Sequence, residues 1–295
     1  MTIAAAVSAP GVSAPRRRLP PDACDAHSHV FGPLDRFPPV EVSRYALPDA
    51  SLDVHARIRA TLGIARGVLV QPAPYADDPS AILHALSQSN GALRGIAVAT
   101  ANAPDELLAS WAAAGIVGLR FTEMRAPGGE RYPGTVGFNA FRTLASRMRE
   151  HGLHAQLWAN AETLASELPD LVRLGVPLVL DHMGCPSLDH DSADPALKSI
   201  LQVFRSENVW VKLAICRVSK RPLSFADVRT VHEAFIEAAA DRCVWGSDWP
   251  YVRLSPAPDA GRLLDLFLEW TADATMQHRV LVDNPARLYG FGGKK

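Results

Sequence analysis

Three imidazoles and one carboxylate stand where strands of this chain could end. The first pair lies in Asp25-Ala-His27-Ser-His29. In a strand, residues two apart point to the same side, so His27 and His29 project together. Two neighbouring imidazoles can bind a metal or polarise a carbonyl; the competing role is a pair of satisfied core histidines. A third imidazole comes from Asp181-His182-Met183-Gly184, and the carboxylate from Trp245-Gly246-Ser247-Asp248-Trp249-Pro250. A carboxylate buried between two tryptophans must have a partner, and the imidazoles supply one. Asp181 and Ser247 read as residues whose hydrogen bonds are spent within a strand end or loop.

The elements that must hold these groups form a repeating pattern. Eight short apolar runs cover residues 24–30, 66–72, 93–100, 116–123, 154–160, 177–184, 209–215 and 243–250. Each is too short for a typical helix and rich in Val, Ile, Leu or Trp, as strands buried on both faces are. Between them, residues 81–87, 106–114, 138–151 and 228–240 carry apolar positions at helical spacing. Gly152 fits a helix C-cap. Eight alternations of strand and helix predict an α/β chain folded as a single (β/α)8 TIM barrel. No GxGxxG or GxxxxGK[ST] follows a strand, which argues against a doubly wound nucleotide-binding sheet. Residues 1–20 read as a flexible Ala/Pro/Ser tail and 21–295 as the barrel, with no linker dividing it. Long insertions at about 31–51 and 124–137 lie where a barrel places its active-site loops.

Composition narrows the function classes. The chain has 295 residues, 48% hydrophobic and 21% charged, which excludes a disordered chain. Thirty Lys+Arg against 31 Asp+Glu leave a net charge of −1, so a whole-surface nucleic-acid binder is excluded. Cys24, Cys185, Cys216 and Cys243 are scattered and match no zinc ribbon or disulfide framework, which suits a reducing, cytoplasmic setting. No apolar run is long enough for a transmembrane helix. Arg16, Arg17 and Arg18 follow the apolar stretch of the N-terminus, whereas a secretory signal puts its charge first; a cleaved organelle presequence is the alternative to a plain tail.

These residues resemble the amidohydrolase superfamily through His27/His29, His182 and Asp248. The stretch VDNPARLYGF (282–291) resembles the end of its amidohydrolase-2 branch. Within that branch the chain is most similar to the lactonase group typified by 2-pyrone-4,6-dicarboxylate lactonase. That likeness rests on DAHSHVFGP (25–33), Arg44–Tyr45, LVQ (69–71), GLRF (118–121), LDHMG (180–184), WGSDWP (245–250) and LVDNPARLY (281–289). The resemblance implies that His27, His29 and His182 polarise a lactone carbonyl while Asp248 activates water. It also implies chemistry with no required metal. The strand-five imidazole usual in a metal site of the superfamily has no counterpart at the mouth here: His154 is at the wrong end, and strand four offers Glu123 at best. The alternative is a zinc held by His27, His29 and Asp248 with water in the fourth position.

Arginines point to an anionic substrate, since a guanidinium matches a carboxylate through two parallel hydrogen bonds. Arg120, Arg125 and Arg217 lie near the positions where the lactonase group holds its dicarboxylate, and Tyr45 matches as well. There are two departures: Cys185 replaces an arginine after DHMG, and Trp158 replaces a strand-five tyrosine. Cys185 as a nucleophile would lack a base other than His182. His55, His84, His151, His190 and His232 read as surface or packing residues. The expected function is hydrolysis of a small anionic lactone. The alternatives are a zinc-dependent decarboxylase of the same branch and a non-catalytic acid-binding barrel.

Overall fold

A computed structural model describes residues 7–292 apart from 42, 127, 189–193, 207 and 223. His190 lies outside the described residues. Eight parallel strands run in chain order: β1 Cys24–Ser28, β2 Arg66–Val70, β3 Leu93–Ala97, β4 Ile116–Thr122, β5 His154–Trp158, β6 Leu178–Leu180, β7 Val209–Leu213 and β8 Cys243–Trp245. Each pairs in parallel with the next. The connecting helices include α1 Leu52–Leu62, α2 Ser80–Ser87, α3 Asp105–Ala113, α4 Phe138–Glu150, α5 Ala161–Val172, α6 Pro195–Ser206, α7 Arg229–Ala239 and α8 Ala260–Trp270. The fold is the single (β/α)8 barrel expected. Among the described residues no helix is long and apolar enough to cross a membrane.

The strands stop short of the expected C-terminal ends because their polar tips leave the ladder to build the mouth. After β6, Asp181–Gly184 forms a tight 3-10 turn in which His182 and Met183 take left-handed φ values of 50° and 54°. After β8, Asp248 is also left-handed, at φ 62°. Such conformations are costly for residues with a Cβ and persist only where the surroundings over-determine them.

Inside the barrel, Cys24, Ala26, Val68, Val70, Ile96, Val179, Trp210 and Val244 form one buried cluster closed from below by Tyr289 and Phe291. Simple alternation would turn His27 away from the axis that Ala26 faces. An irregularity between Asp25 and Ser28, opposite β2, inserts an extra residue there. A bulge of this kind re-aims the side chains that follow it, and it lets His27 and His29 point into the mouth. Ser28 faces outward, its Oγ 3.0 Å from Nε2 of buried His55 on α1.

The barrel closes between β8 and β1 at a narrow seam. Asp248 N donates to His27 O at 2.8 Å and His29 N to Trp249 O at 2.9 Å. Buried Asp25 staples the seam, accepting from Ser247 N at 3.0 Å, Ser247 Oγ at 2.5 Å and His27 N at 3.0 Å. The closest pair of candidate catalytic segments is thus joined by main-chain bonds.

Residues 7–20, read from sequence as a tail, run against the barrel. Val7–Ser8 pairs in parallel with Pro48–Asp49 in the insertion after β1. Ser13 and Arg16 donate main-chain N–H bonds to Asp259 and Asp265, and Pro10 O accepts from Trp249 Nε1 at 2.9 Å. An Ala/Pro/Ser segment has little to bury, but its main-chain groups find partners on α8 and at the seam.

The seam generates the first prediction. A Cβ placed on Gly246 would lie 2.7 Å from His27 Cβ and 3.2 Å from His27 N. Gly246→Ala should therefore destabilise the fold by about 1–3 kcal/mol, the usual cost of overpacking. Urea unfolding measures it, and an unchanged midpoint would mean that the seam has slack.

Candidate active site

At the closed end of the mouth two buried carboxylates face each other across His27. Asp181 Oδ2 accepts from Arg120 Nε at 3.1 Å, Arg120 Nη2 at 2.9 Å and Gln156 Nε2 at 3.1 Å. Its Oδ1 lies 3.2 Å from His27 Nδ1 and 3.6 Å from Lys212 Nζ. Lys212 Nζ donates to Gln156 Oε1 at 2.6 Å and lies 3.4 Å from His27 Nδ1. On the other side, Asp248 Oδ2 accepts from Arg217 Nε at 2.5 Å. Its Oδ1 lies 3.4 Å from His29 Nε2 and 3.6 Å from His27 Nε2. His29 Nδ1 donates to Val70 O at 2.7 Å, which fixes the ring and turns Nε2 toward Asp248. The His182 ring centre is 4.9 Å from that of His27 and 6.1 Å from that of Trp158.

Burial and charge set the protonation states. Burial alone would raise both carboxyls. For Asp248, the Arg217 guanidinium outweighs it and holds the group well below the usual carboxylate range. For Asp181, a hydrogen bond from the His27 ring and the cations Arg120 and Lys212 do the same. Burial and the nearby Lys212 ammonium push the His27 imidazolium well down. Burial brings His182 to about 4. Burial pulls Lys212 down to about 8, against the pull of Asp181. At neutral pH the cluster therefore holds Asp181 and Asp248 as carboxylates, neutral His27 and His182 rings and the cations Arg120, Arg217 and Lys212, while Asp25 at the seam, raised by burial to about 6, adds a third carboxylate. The charges balance, but Arg120 and Arg217 face the cavity, where they suit a developing oxyanion.

His29, His182, Asp248, Arg120 and Arg217 reach a cavity of about 700 Å³, counting its space open to solvent, and Tyr45 and Trp158 line it with them. His27 lies beneath it, fully buried between Asp181 and Asp248. Arg125 lies outside the cavity: the side chain is exposed, pairs with Glu123 at 3.0 Å and faces a separate surface depression. Glu123 is occupied too, accepting from Arg131 and from Phe138 N, where it caps α4. The modest role expected for Asp181 is also corrected, since it is the anion around which Arg120, Lys212 and His27 gather. Ser247 does keep to hydrogen bonds at the seam. Burial pushes the Cys185 thiol up to about 12, which makes it a poor nucleophile.

Sequence reasoning missed Lys212, Gln156, Tyr132 and Arg253. Lys212 carried a signal: a lysine in the apolar run VWVKL (209–213) of a strand buried on both faces must find an anion. Gln156 stands two residues before Trp158 on β5 and shares its face. Tyr132 and Arg253 come from loops, where periodicity says nothing.

The donor set fits a divalent metal. Single ligand atoms of His27, His29 and Asp248 lie within 4.8 Å of one another, as do those of His27, Asp181 and His182. His27 Nε2 is buried without a hydrogen-bond partner, and so is His182 Nδ1. His27, His29 and Asp248 would hold such an ion, which when bound supplies Lewis-acid polarisation and a water of lowered pKa.

Comparison with known proteins places the chain among hydrolases. It is 31% identical over 288 residues to 2-pyrone-4,6-dicarboxylate hydrolase of Comamonas testosteroni, covering 94% of this chain and 93% of that one. It is 30% identical over 276 residues to 4-sulfomuconolactone hydrolase of Hydrogenophaga intermedia, covering 92% and 90%. A crystal structure of a probable 2-pyrone-4,6-dicarboxylic acid hydrolase from Acinetobacter baumannii, with citric acid bound, superposes with a TM-score of 0.80 at 25% identity, covering 92% of this chain and all of that one. The amidohydrolase family profile matches residues 24–291, a span that begins at the first barrel strand and takes in every group of the mouth, and the chain belongs to that family.

Proposed function

We propose that the chain hydrolyses a small anionic lactone, a dicarboxylate in the first instance. One observation carries the reading: an ionised Asp248 faces imidazoles at the floor of a cavity rimmed by arginines and aromatic rings. The names of the relatives support the substrate class.

The lactone ring lies against Trp158 and Tyr45 with its carbonyl over His27, His29 and His182. Asp248 takes a proton from water as the water oxygen bonds to the carbonyl carbon. The negative charge that develops on the carbonyl oxygen is stabilised by the imidazoles and by the Arg120 and Arg217 guanidinium groups that face the cavity. The tetrahedral adduct then collapses, the bond from carbon to ring oxygen breaks, and the ring oxygen recovers the proton. The product is a linear acid with one more carboxylate than the substrate. Arg217, held on Asp248, keeps that carboxyl ionised in this scheme.

Turnover by this route needs no metal. Lys212 and Arg217 already bring two cations to the groups a metal would use, and β5 offers the mouth Trp158 in place of an imidazole. The His27, His29 and Asp248 donor set is the observation that favours the second reading, a zinc-dependent decarboxylase.

Ring-opening absorbance with 2-pyrone-4,6-dicarboxylate, muconolactones and neutral sugar lactones tests the proposal. The expected result is turnover with the charged lactones preferred; preference for the neutral sugar lactones would overturn the dicarboxylate reading. Asp248→Asn should lower kcat by at least ~10²-fold, the low end for a lost general base, while remaining folded. Near-normal turnover in that variant would remove Asp248 from the mechanism. Protein dialysed against a chelator should keep its activity. Stoichiometric zinc by elemental analysis, with activity lost on removal and regained on addition, would move His27, His29 and Asp248 into the ligand role.

A further inference from the structure

Four arginines line the cavity: Arg44, Arg120, Arg217 and Arg253. Three of them are already on carboxylates. Arg120 is bound to Asp181 and Arg217 to Asp248. Arg44 Nη1 reaches across to Glu130 at 2.8 Å, joining the two long insertions. For Arg253 no carboxylate lies within ion-pair distance among the described residues. Its guanidinium lies over the Tyr132 ring at 4.6 Å from the centroid.

That placement is built rather than incidental. Tyr132 stacks on Trp158 with centroids 6.2 Å apart and planes 7° from parallel. The Trp158 ring carries Arg120 on it at 4.8 Å. One wall of the cavity thus carries a run of ring-face contacts from exposed Arg253 through Tyr132 and Trp158 to Arg120, which is anchored on Asp181. A cation held on a ring face keeps its in-plane N–H donors for another partner. The backbone beneath is set as well: Arg253 has a left-handed φ of 64°, Arg217 Nη1 donates to Val252 O at 2.7 Å, and Leu254 N donates to Tyr251 O at 2.9 Å. A positive φ at a residue with a long side chain is kept where the loop is over-determined.

We propose that Arg253 is the specificity residue for a carboxylate on the substrate remote from the reacting carbonyl. The inference rests on the lactone reading for what the substrate is, and on the stack for where its remote charge goes. Binding energy taken at the rim orients the ring over the histidines. Arg120 and Arg217 stay with Asp181 and Asp248, so charge selectivity and carbonyl activation fall on different arginines.

The test separates the two ideas. Isophthalate, a flat dicarboxylate that cannot be hydrolysed, and benzoate, its monoacid counterpart, are titrated calorimetrically into wild type, Arg253→Met and Arg253→Lys. Arg253→Met should weaken isophthalate roughly 10- to 100-fold, the range of a lost charged hydrogen bond, and leave benzoate within about twofold. Arg253→Lys should recover part of the loss, since a lysine keeps the charge and loses the planar fork. On a dicarboxylate lactone the loss should appear in KM with kcat little changed. Equal affinity of wild type and Arg253→Met for isophthalate, including no measurable binding by either, would overturn the proposal, and so would equal losses for both acids. If wild type opens no lactone while the isophthalate effect holds, the hydrolase reading fails and the Arg253 assignment stands.

Discussion

The site depends on an ionised carboxylate, Asp181, kept in the middle of the barrel. A buried charge is tolerated only when paired and hydrogen-bonded. Here Arg120 comes from β4, Gln156 from β5, Lys212 from β7 and His27 from β1, all reaching toward the end of β6. Each of those side chains is thereby fixed at the mouth, and each strand end is tied to its neighbours across the axis. Arg120 extends the order upward through Trp158 and Tyr132 to the rim. The anion that looks least involved in chemistry thus decides where the substrate wall stands.

A second carboxylate, Asp248, sits at the place where the barrel closes. Its strand ends early, and the seam is carried by main-chain bonds to His27 and His29 and by the Asp25 staple. Closure of the barrel and the candidate site share the same few residues. This arrangement brings Asp248 Oδ1 toward both first-strand imidazoles and makes a donor set into which a divalent ion would fit. Arg217 and Lys212 offset the two central carboxylates, Asp248 and Asp181.

Much of this was legible in the chain. Eight apolar runs separated by helical spacing specify the barrel, because a parallel sheet covered on both faces needs continuous apolar strands. His27, His29, His182 and Asp248 stood out because chemistry-bearing residues at C-terminal strand ends have few structural uses there. What escaped notice was long-range pairing. The partners of Arg120 and Arg217 are 61 and 31 residues away in the chain, and no local pattern shows that both arginines are already committed. Arg125 looked equivalent to them, yet its neighbour Glu123 takes it to the surface. The bulge in β1 leaves no compositional mark, and the N-terminal segment is held by main-chain groups that every residue carries together with the side chains of Ser13, Arg16 and Arg17, whose partners lie 246 to 251 residues away in the chain. Lys212 was the exception, a polar residue in an apolar run whose burial could have been read directly.

The most direct measurement is a double-mutant cycle on the central ion pair, Asp181→Asn and Lys212→Met, followed by urea unfolding. Removing one partner of a buried pair costs about 3–5 kcal/mol, because the other is left uncompensated. If Asp181 is the anion that organises the mouth, the double variant should be less destabilised than the sum of the singles, with a coupling of about 0.5–3 kcal/mol. Additivity to within ~0.3–0.5 kcal/mol would mean that the two residues do not depend on each other, and would contradict the account.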